Sequence, residues 1–214
     1  YQCAVLHLLY APEIPVGIHL DHGKSFEVVG RAMDIGFASV MYDGSRKDYV
    51  DNLMMTKKIV EIAHERGVVV QAELGNVPYI GEMQMETVDW AKYMTDPDQA
   101  AQFVKETGID TLAVAIGNAH GFFRERSEAD YERLSSIAEL VEVPLVLHGA
   151  SDWEDGRVAE VIKRGISCFN VDTATRLAFI GGLREALQSE DETDLRKVLG
   201  KGQVAVKEAV KAKI

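Results

Sequence analysis

Apolar positions along the chain fall into two alternating patterns. Short runs rich in β-branched residues predict strands at 15–20 (PVGIHL), 37–42 (FASVMY), 67–74 (GVVVQAEL), 110–117 (DTLAVAIG), 143–149 (VPLVLHG) and 165–171 (GISCFNV). Amphipathic segments of helical length separate them, at 25–36, 49–67, 96–108, 129–141 and 154–165. Two more, 173–188 and 195–214, follow the last strand. Several of these helices close on glycine, which ends a helix by turning left-handed. No linker or low-complexity stretch interrupts the alternation, which predicts one domain over residues 1–214.

Strand and helix in strict alternation imply parallel pairing through right-handed crossovers. The strands are almost continuously apolar, as expected when both faces are covered. Each strand ends in polar residues or meets them shortly afterwards: Asp21 and His22, Asp43, Glu73, His120, His148, then Asn170 with Asp172. Chemistry-bearing residues gathered from many strand ends describe the active face of a (β/α)8 TIM barrel. An open doubly wound sheet would concentrate them at one switch point behind a glycine-rich turn, and there is no such turn. Six strands would leave two open edges. The expectation is therefore an α/β TIM barrel whose first two strands are absent from these residues, the chain opening inside a helix.

Composition adds exclusions. With 47% hydrophobic and 27% charged residues, the 214-residue chain can build a sizeable core. A net charge of −11 without a basic face argues against nucleic acid or an anionic membrane as partner. The basic C-terminal stretch KEAVKAKI has the spacing of an ordinary amphipathic helix. No apolar run approaches the roughly 20 residues that span a bilayer, and the first residues lack the marks of a signal peptide. Cys3 and Cys168 are isolated and fit a reducing cytoplasm. An anionic ligand would have to be met locally, by a metal, an arginine or backbone amides.

Six histidines occur. His7 and His64 lie in helical segments and read as packing or surface residues. His19 shares strand parity with Asp21 and reads as a core or supporting residue. His22, His120 and His148 each stand at a strand end next to a glycine. Three imidazoles meeting at one mouth can hold a catalytic zinc with an open coordination position. Asp43 and Glu73 read as support for those ligands, whereas Asp21, adjacent to His22, could exchange protons with a bound substrate. The runs HGAS and NVDT lead into the last helices, where barrels commonly hold phosphate on backbone amides. The plainer alternative is that Ser151, at capping-box spacing from Glu154, and Thr173 merely cap those helices.

Taken in order, HLDHG, DGS, AELG, AIGNAHG, PLVLHGAS and NVDTATRLAF resemble the class II, zinc-dependent fructose-bisphosphate and tagatose-bisphosphate aldolases over essentially the whole chain. The resemblance implies zinc bound by His22, His120 and His148 with Glu73 beside it, and Asp21 as the proton-exchanging acid. It implies phosphate and a monovalent cation (Na+ or K+) at Gly121, Gly149 and Ser151, and substrate at Asn170, Asp172 and Thr173. A phosphorylated ketose, a cytoplasmic location and a homodimer or homotetramer go with it. The lysines sit on helices and loops, which disfavours Schiff-base chemistry. Three positions depart from the family pattern. Ala150 and Asp152 replace glycines of the His-Gly-Gly-Ser-Gly loop, and the loop NVPYIGEMQ offers only Glu82 as an acid for the ketone half. Those departures keep two alternatives open: another phosphorylated sugar, such as a sulfo-sugar or sugar acid, or a non-catalytic metal-binding barrel.

Overall fold

The computed structural model describes residue 13 and residues 15–79, 89–121, 129–188 and 193–213. Six strands pair in parallel in chain order: β1 (His19–Gly23), β2 (Ser39–Tyr42), β3 (Val69–Leu74), β4 (Thr111–Val114), β5 (Leu145–Leu147) and β6 (Ile166–Phe169). Helices alternate with them: α1 (Phe26–Asp34), α2 (Tyr49–Glu65), α3 (Pro97–Thr107), α4 (Tyr131–Leu140) and α5 (Asp155–Lys163). After β6 come α6 (Thr173–Ala186) and α7 (Leu195–Lys211). The result is a parallel six-stranded half-barrel. No described helix is long and apolar enough to cross a membrane.

The first strand departs from its expected span. The strand expected at 15–20 ends inside HLDHG, but β1 begins at His19 and contains the whole motif. The ladder forms only where β2 offers partners, and Ser39, the first residue of β2, lies opposite His19. An irregularity between Leu20 and Gly23 then breaks the register. The fourth strand is shorter than its apolar run because Ile116 donates its N–H to Asn118 Oδ1 (2.7 Å) instead of to a ladder.

Register explains the two faces. Tyr42, Ala72, Leu112 and Leu145 align across β2 to β5, and with their parity partners they pack against Val29, Ile59, Phe103, Leu134 and Ile137 of the helices. The opposite, concave face carries Met41, Ala113 and Val146 as a small separate cluster, together with Gln71 and Glu73. All strands run the same way, so their C-terminal ends share one rim. Five helices start on a side chain that accepts a first-turn N–H, from Ser25, Asp48, Asp96, Asp130 and Asp194.

The last two helices cross through glycines. A Cβ at Gly182 would lie 2.7 Å from the Lys201 carbonyl oxygen and 2.9 Å from Gly202 Cα, whereas one at the adjacent Gly181 would meet nothing within 4 Å. Gly181→Ala should therefore gain about 1 kcal/mol of helix propensity. Gly182→Ala gains the same but pushes backbone from backbone, an overpacking cost of about 1–3 kcal/mol. Urea unfolding of both variants should rank Gly181→Ala the more stable by that difference; equal stabilities would show that the crossing yields freely.

Candidate metal centre and active site

His22, His120 and His148 come together at the rim. Their ring centroids are 5.1 Å (His22–His120), 4.6 Å (His22–His148) and 6.1 Å (His120–His148) apart. One ligand nitrogen from each lies within 4.8 Å of the other two. His22 reaches its place through strained backbone: it is the only described non-glycine residue with positive φ, 48°. The strain coincides with the irregularity in β1.

Each ring is held by its other nitrogen or by its backbone. His22 Nδ1 bonds Asp43 Oδ2 at 2.7 Å. The buried Asp43 also accepts from Lys24 Nζ, from the Ser45 N–H (3.1 Å) and from Ser45 Oγ (2.6 Å). Burial alone would raise the Asp43 pKa, but these donors outweigh it and hold the carboxyl far below the usual range. His148, fully buried, bonds Gln71 Oε1 through Nε2 at 3.0 Å. Its backbone carbonyl accepts from Asn118 Nδ2 (3.0 Å). His120 donates its N–H to the Pro78 carbonyl (2.8 Å), and Tyr79 stacks on its ring at 4.5 Å and 19°. Burial, with His22 and His148 nearby, pushes the His120 pKa down to about 4, so the ring is neutral at neutral pH.

These contacts leave one atom of each ring unspent. His22 Nε2, His120 Nε2 and His148 Nδ1 are buried and make no hydrogen bond, and the same holds for Glu73 Oε2. His148 Nδ1 and Glu73 Oε2 face each other at 3.2 Å. A buried acceptor left without a partner costs about 1–3 kcal/mol. Three such nitrogens within 4.8 Å of one another, with a carboxylate oxygen 3.2 Å from one of them, fit a divalent cation, and this donor set suits zinc. His22, Asp43 and Glu73 form a second, overlapping group of possible ligands.

Beside the imidazoles lies a cleft of about 370 Å³. Asp21, His22, His120 and Gly121 line one part of it; Gly149, Ser151, Asn170, Asp172 and Thr173 line another. Asp21 Oδ1 accepts from Asn170 Nδ2 at 3.0 Å and stands 3.8 Å from His22 Nε2. Glu73 is buried and does not line the cleft, and Glu82 falls outside the described residues. Among the described residues no lysine lines the cleft. His19 bonds Ser39 Oγ at 2.8 Å within the sheet, and His64 pairs with Asp110 on the surface. His7 and Cys3 also lie outside the described residues.

The capping box, the alternative role for Ser151, does not form. The Trp153 N–H bonds the Ala150 carbonyl (3.1 Å) in a turn, so α5 starts at Asp155 with Glu154, not Ser151, at its N-cap. Helix α6 starts at Thr173 with Asp172 at its N-cap, and neither N-cap side chain bonds the helix. Ser151 and Thr173 are therefore free of the capping role. Gly149 takes φ 64°, and a Cβ there would lie 2.4 Å from the Ala119 carbonyl oxygen. Ala150 needs no positive φ, and Asp152 does not line the cleft. Sequence reasoning missed Gln71, Asn118, Tyr79 and Arg176. Gln71 left a signal: a polar residue with the parity of Glu73 in an apolar strand.

A family model described as fructose-bisphosphate aldolase class-II matches residues 2–214. The fructose-bisphosphate aldolase of Staphylococcus epidermidis is 41% identical over 202 residues, covering 94% of this chain and 70% of that one. The enzyme of the same name from Geobacillus stearothermophilus is 39% identical over 202 residues, with 94% and 69% covered. Among solved structures, the YdjI aldolase from Escherichia coli K12 matches with a TM-score of 0.83 at 34% identity, covering 99% of this chain and 72% of that one.

The unspent nitrogens predict one divalent ion per chain. His148→Ala should abolish stoichiometric zinc uptake. Gln71→Leu keeps every donor but frees the His148 ring, and should weaken zinc binding by about 10- to 100-fold. Chelator competition reads both; undiminished affinity in either variant would remove that residue from the centre.

Proposed function

The chain belongs to the class II fructose-bisphosphate aldolase family, and we propose that it is itself a zinc-dependent lyase. It reversibly cleaves a phosphorylated ketose, such as fructose or tagatose 1,6-bisphosphate, into glycerone phosphate and an aldehyde. The observation that carries this reading is the set of three buried, unspent imidazole nitrogens beside Asp21 and an open cleft. Held by His22, His120 and His148 with Glu73 alongside, zinc supplies Lewis-acid stabilisation of the negative charge that develops on the ketone half.

The chain's own groups do the rest. Asp21 takes the proton from the hydroxyl at the scissile bond during cleavage and returns it during condensation. The three imidazoles spend their lone pairs on the metal, which leaves Asp21 as the base at this spot. Asn170 fixes one Asp21 oxygen and so aims the other. Glu82 is assigned proton transfer at the ketone half. The phosphate sits between the loops after β5 and β6, on Gly149, Ser151, Asn170, Asp172 and Thr173, with Gly121 from the loop after β4 and a monovalent cation (Na+ or K+) offsetting its charge. Helix starts without a side-chain cap leave amides available for that anion.

The six strands are read as the third to eighth of a (β/α)8 barrel forming one domain. Two open sheet edges support this, as does the greater length of the relatives. A cytoplasmic homodimer or homotetramer of carbohydrate metabolism completes the proposal.

Cleavage of fructose 1,6-bisphosphate by the zinc-loaded protein, lost with chelator and restored by zinc, tests the reading. Failure on a panel of ketose bisphosphates would overturn it. Asp21→Asn is nearly isosteric, so zinc and glycerone phosphate should still bind. Turnover should fall about 10²–10⁴-fold, the usual contribution of a positioned acid–base group. Hydrogen-isotope exchange at the ketone half should survive better than cleavage. Near-normal cleavage by the asparagine variant would place the base elsewhere.

A further inference from the structure

Two of the three imidazoles are aimed by an acceptor on the nitrogen that faces away from the site, His22 by Asp43 and His148 by Gln71. A ligand histidine ordinarily needs such a hold, because it fixes the direction of the ring. Among the described residues no side chain hydrogen-bonds the His120 ring, yet its Nε2 is buried like the other two unspent nitrogens. His22 and His148 adjoin that ring, but both belong to the same ligand set. The remaining aromatic ring against it is Tyr79, stacked at 4.5 Å and 19°.

The segment that delivers Tyr79 is held residue by residue. The Asn76 N–H bonds the Tyr93 carbonyl (2.8 Å), and the buried Val77 gives its N–H to Glu73 Oε1 (3.3 Å). Pro78, buried and fixed in φ by its ring, presents its carbonyl to the His120 N–H (2.8 Å). Tyr79 then pairs with His120 as an isolated parallel bridge, which puts the two side chains on the same face. The Tyr79 ring lines the cleft and the residue is 43% exposed, so it adds little to the core. Its specific contact is the imidazole.

We propose that Tyr79 is a positioning residue for the metal centre, its stack doing for His120 what Asp43 and Gln71 do for the other two imidazoles. A stack fixes the plane of the His120 ring and so the direction of its Nε2 lone pair. It needs the aromatic ring of Tyr79 and not the hydroxyl. The inference rests on the three-histidine metal reading and is independent of which sugar the protein cleaves.

Tyr79→Phe, which keeps the ring, and Tyr79→Leu, which keeps only apolar bulk, test it. In chelator competition Tyr79→Leu should bind zinc about 2- to 10-fold more weakly, the range of an aromatic pair's contribution. Tyr79→Phe should match the parent protein. With cobalt(II) in place of zinc, the visible ligand-field bands should shift in Tyr79→Leu and stay in place in Tyr79→Phe. Lost folding stability alone would not produce that pattern. Zinc affinity and cobalt bands unchanged in Tyr79→Leu would overturn the inference and leave the metal centre standing. An equal loss in Tyr79→Phe would overturn it too, since the hydroxyl would then carry the effect. A zinc-loaded protein that cleaves no ketose bisphosphate, but whose zinc affinity still falls in Tyr79→Leu alone, would overturn the lyase reading and support the inference. A parent protein that takes up no zinc would overturn the metal centre and the inference together.

Discussion

The site depends on where two imidazole protons sit. Asp43 and Gln71 Oε1 can only accept, so His22 carries its proton on Nδ1 and His148 carries its proton on Nε2. The opposite nitrogen of each ring is then a buried lone pair with no hydrogen bond. Reversing either tautomer would protonate the nitrogen proposed to bind metal and turn the other nitrogen's lone pair toward an acceptor. The support extends outward, because Asp43 keeps its charge through Lys24 and Ser45 as well as through His22 itself. The proposed metal centre of three side chains thus rests on at least four others.

Sheet order and strand–helix alternation were legible in the sequence because both follow from periodicity. So was the meeting of the histidines, since parallel strands put every strand end on one rim. What sequence could not show was geometry between neighbours. The span of β1 depended on where β2 begins, which the apolar run at 15–20 does not encode. The capping box at Ser151 failed because a local turn competed for the same backbone. Tyr79 and Asn118 had no role assigned from sequence, and only the packed structure shows one stacked on His120 and the other bonded to the His148 carbonyl.

Strain is concentrated where chemistry is expected. A histidine at φ 48° costs on the order of 1–3 kcal/mol, and it stands on an edge strand whose register is already broken. An unbroken ladder could not turn the His22 ring toward its partners while leaving Asp21 facing the cleft, because adjacent residues on a regular strand point to opposite faces. The irregularity lets two consecutive side chains, Asp21 and His22, serve one site. The fully buried core of β2 to β5 supplies the stability against which this distortion is held.

The hydrogen bond between Asp21 and Asn170 ties that distortion to the whole sheet. These residues belong to the first and last of the six strands' rim, 149 positions apart. They can touch only because the intervening strands curl. The position of the proposed base is therefore a readout of sheet curvature, set by packing between the convex face and the helices. A core substitution that flattens the sheet would separate Asn170 from Asp21 before it disturbed the imidazoles, since His22, His120 and His148 carry holding contacts that do not pass through this edge-to-edge link. The proposed metal binding and proton transfer thus have different mechanical supports within one cleft: the first is anchored locally, strand by strand, and the second by the closure of the arc.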